Sequence, residues 1–381
     1  MPVLELSGSP KERGQFYGDV FKFEIGETIK LWLNDLGNYG RDGDISSHKD
    51  IKRYLESFFS ETSYLSSIQQ WAPNLLEEIN GIAEAVEQPR EYILGLSLID
   101  EEWIFGLHHR LNKPTEKCTG FGLPVHAGQA GRAGFAGQNM DIGSWVDGKQ
   151  VLLRLAESSA SPEALVFSIA GCIGLNGLNA SGIGVTCNTL SQLQHAVDGL
   201  PVIFIIRKLL EKTSVDEAEI FLRTIKHASG QNYIVSSANE VRCFECSAYG
   251  VNAYVSDNEY GRVFHTNHPL TKSQTCNNQF EVSDSSSSTE RLKSINNRLG
   301  AKEDISLADI KAALAAHDNP IYPVSRDFNP DKSSIGFTAG ASIYEFGDSP
   351  KLHIASGPPC KTRFEVFNFS NSDASSIACK G

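Results

Sequence analysis

The chain has 381 residues, with 34 Lys and Arg against 46 Asp and Glu, a formal net charge of −12, and 40% hydrophobic residues. This composition can bury a large core, which excludes disorder as the main state, and its acidity leaves no basic patch of the kind that drives nucleic-acid binding. The longest apolar run, around Leu200 to Ile206, falls far short of the roughly 18–20 residues that span a bilayer, so no membrane partner is expected.

Up to residue 117 the pattern is helical. Gly14 to Leu36 carries Phe16, Tyr17, Val20, Phe21, Ile25 and Ile29 in a helical rhythm. Pro73 and Asn74 open a second helix through Leu76, Ile79, Ile82 and Val86, with Pro suited to a first turn. After Pro89 the spacing predicts one further helix from Arg90 to about His109. Lys113 to Lys117 reads as an exposed, charged connection.

Beyond residue 117 short β-like runs take over, separated by Gly, Asn and Asp. Strands are expected at Phe135 to Gln138, Val151 to Leu155, Ala164 to Ile169, Ile173 to Leu178 and Ile183 to Thr186. A helix pair at Pro201 to Leu210 and Val215 to Ile225 leads to strands at Asn232 to Ser236, Val241 to Cys246, Ala253 to Val255 and Arg262 to His265. Helices follow at Thr289 to Leu299 and Ser306 to His317, the latter with a capping-box start from Ser306 and Asp309. Ser334 to Phe346 and Lys351 to Ala355 read as a hairpin around Gly347 and Asp348. The last dozen residues are polar and expected to fray. Antiparallel-looking strands with helices segregated around them argue an α+β fold.

Eight Cys are scattered along the chain with no framework spacing, and MPVLELSGSPKERGQ has no apolar signal region, so a reducing, cytoplasmic location is expected. Cys243 and Cys246 lack a second pair for zinc, and residues three apart on a strand face opposite ways, so they read as structural. No metal site is expected.

Cys118 is different. It follows the charged connection and begins the β region. A chain cut before it would leave a thiol with its own α-amine as base, whose unperturbed pKa is about 8.

Lys117-Cys118-Thr119, followed by Gly137-Gln138-Asn139-Met140-Asp141, resembles the centre of the penicillin acyltransferase family, the acyl-coenzyme A:6-aminopenicillanic acid acyltransferase-like enzymes. The spacing from Cys118 to Asp141 is 141 − 118 = 23. Further segments resemble the family in order: Gly8 to Gly14, Gly177 to Gly184, Thr266-Asn267-His268-Pro269, His317 through Ser325-Arg326, and Gly357-Pro358-Pro359-Cys360. The resemblance covers most of residues 5 to 367.

It implies the four-layer αββα sandwich of N-terminal nucleophile hydrolases, with two antiparallel sheets and a helical N-terminal segment. It also implies self-cleavage between Lys117 and Cys118 into residues 1–117 and 118–381, which stay together as one interlocked domain. Cys118 is then the nucleophile, Asp141 the carboxylate that orients its ammonium, and Asn267 an oxyanion donor. Ser325 and Arg326 are expected to support the nucleophile or bind a substrate carboxylate. The competing reading of Arg326, beside Asp327, is a solvated ion pair of little worth. His265 and His268 raise a Cys–His dyad, but the local signature of papain-like enzymes is absent around Cys118.

Some members resemble penicillin acyltransferases. Others are similar to hydrolases that release β-alanine or other acyl groups from small amines. The expected activity is therefore amide hydrolysis or acyl transfer on a small N-acyl or acyl-thioester compound, without a cofactor, acyl-coenzyme A being admissible as donor. Two alternatives stay open: a family member that binds a ligand in the same cleft without catalysis, and an uncut, His-dependent cysteine protease.

Overall fold

The computed structural model describes residues 1–39, 48–109, 118–125, 133–271, 283–329 and 336–370. Lys117, the rest of the charged connection, most of the stretch 127–134 and the residues after 370 lie outside these.

After strand β1 (Val3–Leu6) come α1 (Pro10–Val20), α2 (Lys22–Tyr39), α3 (His48–Glu61), α4 (Tyr64–Trp71), α5 (Pro73–Val86), α6 (Arg90–Leu96) and α7 (Ile99–His109). Strands follow: β2 (Thr119–Leu123), β3 (Phe135–Ile142), β4 (Gln150–Leu155), β5 (Ala164–Ile169), β6 (Asn176–Asn179) and β7 (Gly184–Thr189). The pair α8 (Val202–Leu209) and α9 (Val215–Thr224) precedes β8 (Gln231–Ser236), β9 (Val241–Ser247), β10 (Gly250–Tyr254) and β11 (Val263–His265). Then come α10 (Ser287–Leu299), α11 (Leu307–Leu314), β12 (Phe337–Glu345), β13 (Lys351–Ala355) and β14 (Glu365–Asn368).

The strands form two sheets, ordered β1-β4-β5-β6-β7-β8-β9-β10 and β11-β2-β3-β12-β13-β14. They face each other through β2 and β3 against β7 and β8. Close approach needs Gly340 on β12, where a Cβ would lie 2.4 Å from Cζ of Phe167 on β5. The helices α10 and α11 cover the outer face of the second sheet, packing Ile295, Leu299, Ile310 and Leu314 on Phe121, Phe264 and Ile343. The pair α8 and α9 and the N-terminal helices share one core with the first sheet. The result is the αββα sandwich the resemblance implies.

The Gly8 to Gly14 segment is a structural lock. Ser9 caps α1 in a reciprocal capping box with Glu12, and Pro10 takes the first turn. Gly14 lets α1 cross α5 closely, since a Cβ there would sit 2.0 Å from the Glu78 carbonyl oxygen. Glu78, fully buried on α5, receives two hydrogen bonds from Arg207 on α8, at 2.8 and 3.1 Å, and one from Arg13 Nη2 at 3.0 Å. Burial pushes the Glu78 carboxyl up, but the two guanidiniums outweigh it and hold the pKa below the ordinary glutamate value.

Several expected elements differ in extent. The rhythm from Gly14 to Leu36 is two helices, broken at Phe21, and Arg90 to His109 is likewise split around Ser97 and Leu98. The strand expected from Ile173 starts only at Asn176, because Gly171 turns the chain with φ +91°. Strand β3 runs past the expected end at Gln138 to Ile142, which puts Asp141 within the strand. Helix α11 stops at Leu314, leaving His317 beyond it. Strand β1 was not expected; it pairs with β4 in parallel, the exception among the described strand pairs, which are otherwise antiparallel.

Candidate active site

Cys118 stands at the head of β2, whose register pairs Thr119 with Asn139 of β3. That places the buried Cys118 Sγ 3.6 Å from Met140 Sδ and brings Asp141 to the same cavity. Asp141 Oδ1 accepts a 2.7 Å hydrogen bond from Thr338 Oγ1, its cross-strand partner on β12.

Arg291, on α10, organises the rest. Its side chain is fully buried. Nη1 donates to the Cys118 carbonyl oxygen and, at 2.9 Å, to Thr119 Oγ1. Nη2 donates at 2.9 Å to Asn267 Oδ1, and Nε at 3.2 Å to Ser287 Oγ. Burial draws its pKa down to about 10, with the neighbouring Asp141 and Cys118 opposing the drop. Sequence reading passed over Arg291 because an arginine inside an amphipathic helix resembles any solvated one; only its contacts distinguish it.

Asn267 is held at four points. Its N–H donates to Ser288 Oγ at 2.8 Å, its carbonyl accepts from Gln192 Nε2 at 3.3 Å, and Oδ1 accepts from Arg291. Nδ2 therefore points the other way and donates to the Thr189 carbonyl at 3.1 Å. Thr189 lines the cavity with Cys118, so the Asn267 amide is bonded to a residue of the cavity wall.

Ser325 and Arg326 lie one residue behind. The Arg326 N–H donates to Thr338 Oγ1 at 2.9 Å and its carbonyl accepts from Thr338 N at 3.0 Å, so Thr338 links Arg326 to Asp141. Ser325 is buried and its Oγ accepts from the Cys360 N–H at 3.4 Å. The reading of Arg326 as a solvated partner of Asp327 is corrected: Arg326 is only 8% exposed, and Asp327 pairs with Lys361. Asn139 is structural, its Nδ2 donating to the carbonyls of Leu314 and Val324.

The histidines are engaged elsewhere. His265 uses one ring nitrogen on Glu245 at 3.0 Å and the other on the Thr266 carbonyl at 2.9 Å. His268 bonds Ser288 Oγ, and burial lowers its pKa to about 4. Cys243 and Cys246 are both buried and belong to different core clusters, as opposite faces of β9 require.

The cavity at Cys118 measures about 100 Å³. Three of the four tryptophans, Trp32, Trp103 and Trp145, line it with Leu175, Ile203 and Ile206, and Asp35, Asp100 and Glu102 share its wall. Asp100 Oδ2 accepts from Thr189 Oγ1 and Gln231 Nε2, while burial raises its pKa. Next to it, burial and then the charge of Asp100 push Glu101 up to about 8. No described helix is long and apolar enough to cross a membrane.

Residues 131–350 match the model of the acyl-coenzyme A:6-aminopenicillanic acid acyl-transferase family. The chain is similar to the 40 kDa form of acyl-coenzyme A:6-aminopenicillanic-acid-acyltransferase from Emericella nidulans, with 28% identity over 268 residues, 70% of this chain and 69% of that one. Among solved structures it is similar to a conjugated bile acid hydrolase variant from Clostridium perfringens, at TM-score 0.43 and 13% identity, over 66% of this chain and 97% of that chain. It is also similar to a Caenorhabditis elegans ortholog of N-acylethanolamine-hydrolyzing acid amidase, at TM-score 0.40 and 15% identity, over 59% and 92% of the two chains.

Proposed function

The chain belongs to the acyl-coenzyme A:6-aminopenicillanic acid acyl-transferase family, and on that premise we propose that it is a self-processing cysteine amidohydrolase or acyltransferase acting on small N-acyl compounds. The Cys118 thiol first attacks the Lys117 carbonyl. The C–N bond breaks, its nitrogen takes the thiol proton, and the thioester formed is hydrolysed, freeing the Cys118 α-amine. The pieces are residues 1–117 and 118–381. The parallel pairing of β1 with β4 and the Arg207–Glu78 pair support their staying together as one unit.

In turnover the α-amine takes the thiol proton and the thiolate attacks the substrate amide or thioester carbonyl. Asn267 Nδ2–H donates to the tetrahedral oxyanion, Asp141 orients the ammonium, and the leaving group collects the proton. The acyl-thioester then passes to water or to an acceptor amine. Ser325 and Arg326 act from behind, through Thr338. No cofactor takes part; acyl-coenzyme A enters only as an acyl donor.

The observation that carries this reading is the convergence of Cys118, Thr119 and Asn267 on the buried Arg291, with Asp141 at the same cavity. The cavity wall supports a small substrate: tryptophans suit an apolar or aromatic portion, and acidic side chains favour a cationic ammonium over a penicillin carboxylate. A reduced thiol is needed throughout, which accords with a cytoplasmic location, and none of the six described cysteines is in a disulfide.

The intact mass of the wild-type chain beside Cys118→Ala tests the proposal. Two wild-type species divided between Lys117 and Cys118, with an uncut mutant, are expected. A wild type that stays uncut while hydrolysing N-acyl substrates overturns the free-amine mechanism.

A further inference from the structure

Three side chains far apart in sequence meet on the side of the molecule behind Asp141. His317 follows the end of α11, Asp327 follows Arg326, and Cys360 lies in the turn after β13. One donor atom from each falls within 4.8 Å of the others. Cys360 Sγ is 3.1 Å from Asp327 Oδ1. Bond lengths of about 2.0–2.3 Å in a tetrahedral zinc site place neighbouring donors about 3.3–3.6 Å apart. The sulfur and oxygen are already near that separation, and modest side-chain rotation brings in the imidazole.

The surroundings match those of a ligand set. His317 Nδ1 lies 3.0 Å from the Ala315 carbonyl oxygen, which can only accept, so the neutral ring carries its proton there and keeps a lone pair at Nε2. A ligating histidine is held in just this way by a backbone carbonyl. Lys361 Nζ, 2.7 Å from Asp327 Oδ2, fixes the carboxylate from outside, and Ser325 Oγ accepts from the Cys360 N–H.

We propose that His317, Asp327 and Cys360 form a binding site for one Zn(II) ion, with water as fourth ligand. Mixed sulfur, nitrogen and oxygen donors suit zinc and exclude calcium or magnesium, which take oxygen. Binding exchanges the Cys360 thiol proton, released to solvent, for a sulfur–zinc bond. The ion joins the end of α11, the Ser325-Arg326 segment and the turn at Cys360. It thus clamps the backing of Asp141 and takes no part in the reaction.

The test is titration of the full-length, chelator-stripped protein with Co(II). One equivalent bound, a thiolate-to-cobalt charge-transfer band and displacement by Zn(II) are expected. Cys360→Ser abolishes the band, His317→Gln weakens Co(II) binding by about tenfold or more, and Cys118→Ala leaves the band intact. Absence of the band in the wild type, its survival in Cys360→Ser or its loss in Cys118→Ala overturns the proposal. His317→Gln alters an exposed side chain, so its affinity decides the matter even where Cys360→Ser fails to fold.

Discussion

Arg291 and Asn267 are joined by a 2.9 Å hydrogen bond from Nη2 to Oδ1, and this bond decides which way the Asn267 amide faces. With its oxygen held by a cation, the amide turns its nitrogen to the carbonyl of Thr189, a residue that lines the cavity. On the mechanism proposed above, Arg291 is thereby a positioning residue. Arg291→Lys keeps the charge but cannot span Cys118, Thr119 and Asn267 together. We expect kcat to fall about 10²–10³-fold with little change in KM, the loss associated with one oxyanion donor. Steady-state kinetics on an N-acyl substrate checks this; an unchanged kcat would falsify the assignment.

Thr338 hands the Arg326 backbone on to Asp141 through one hydroxyl, which accepts at 2.9 Å and donates at 2.7 Å. Thr338→Val removes both bonds and leaves buried groups unsatisfied, at a cost of about 1–3 kcal/mol. We expect a lower kcat and a shifted alkaline limb of the pH–rate profile, because Asp141 loses its orientation. Thr338→Ser should restore both. Equal damage from Val and Ser would show that the methyl, and not the hydroxyl, matters.

The Asp100–Glu101 pair makes stability depend on pH. Glu101 binds its proton more tightly folded, near pH 8, than unfolded, near the ordinary value of about 4.3. Between these values the native state holds the extra proton, so this contribution is full below the unfolded pKa and is lost as pH rises through the folded one. Glu101→Gln should flatten the decline. Urea midpoints measured from pH 5 to pH 9 should converge or cross for the two proteins. Parallel curves would contradict the raised pKa.

The Glu78 contribution runs the other way. Its folded pKa is depressed, so it stabilises above the unfolded glutamate value and is lost as pH falls through the folded one. Glu78→Gln leaves Arg207 buried without its counter-charge, at a cost of about 3–5 kcal/mol. We expect a lower urea midpoint at neutral pH and, in a processed protein, release of the 1–117 piece at lower denaturant than in wild type. Co-migration of the two pieces at the wild-type urea concentration would show that other contacts hold them.

The sequence by itself determined the local elements and the outline of the site. Hydrophobic periodicity, Pro73 and the Ser306–Asp309 cap located α5, α8, α9 and α11 within a few residues, because these signals act over one or two turns. The motif order around Cys118, Asp141 and Asn267 carried the family. Tertiary structure alone decided the rest. Strand β1 is four residues long and stable only beside β4, about 150 residues away, a pairing no local pattern encodes. Arg291 was silent in sequence because its role is made of four hydrogen bonds to residues 4 to 173 positions distant. The same holds for Thr338, and for His317, Asp327 and Cys360, which no fixed spacing links. Interactions whose partners are brought together only by packing leave no periodic trace, and those are the ones that orient the side chains of the candidate site.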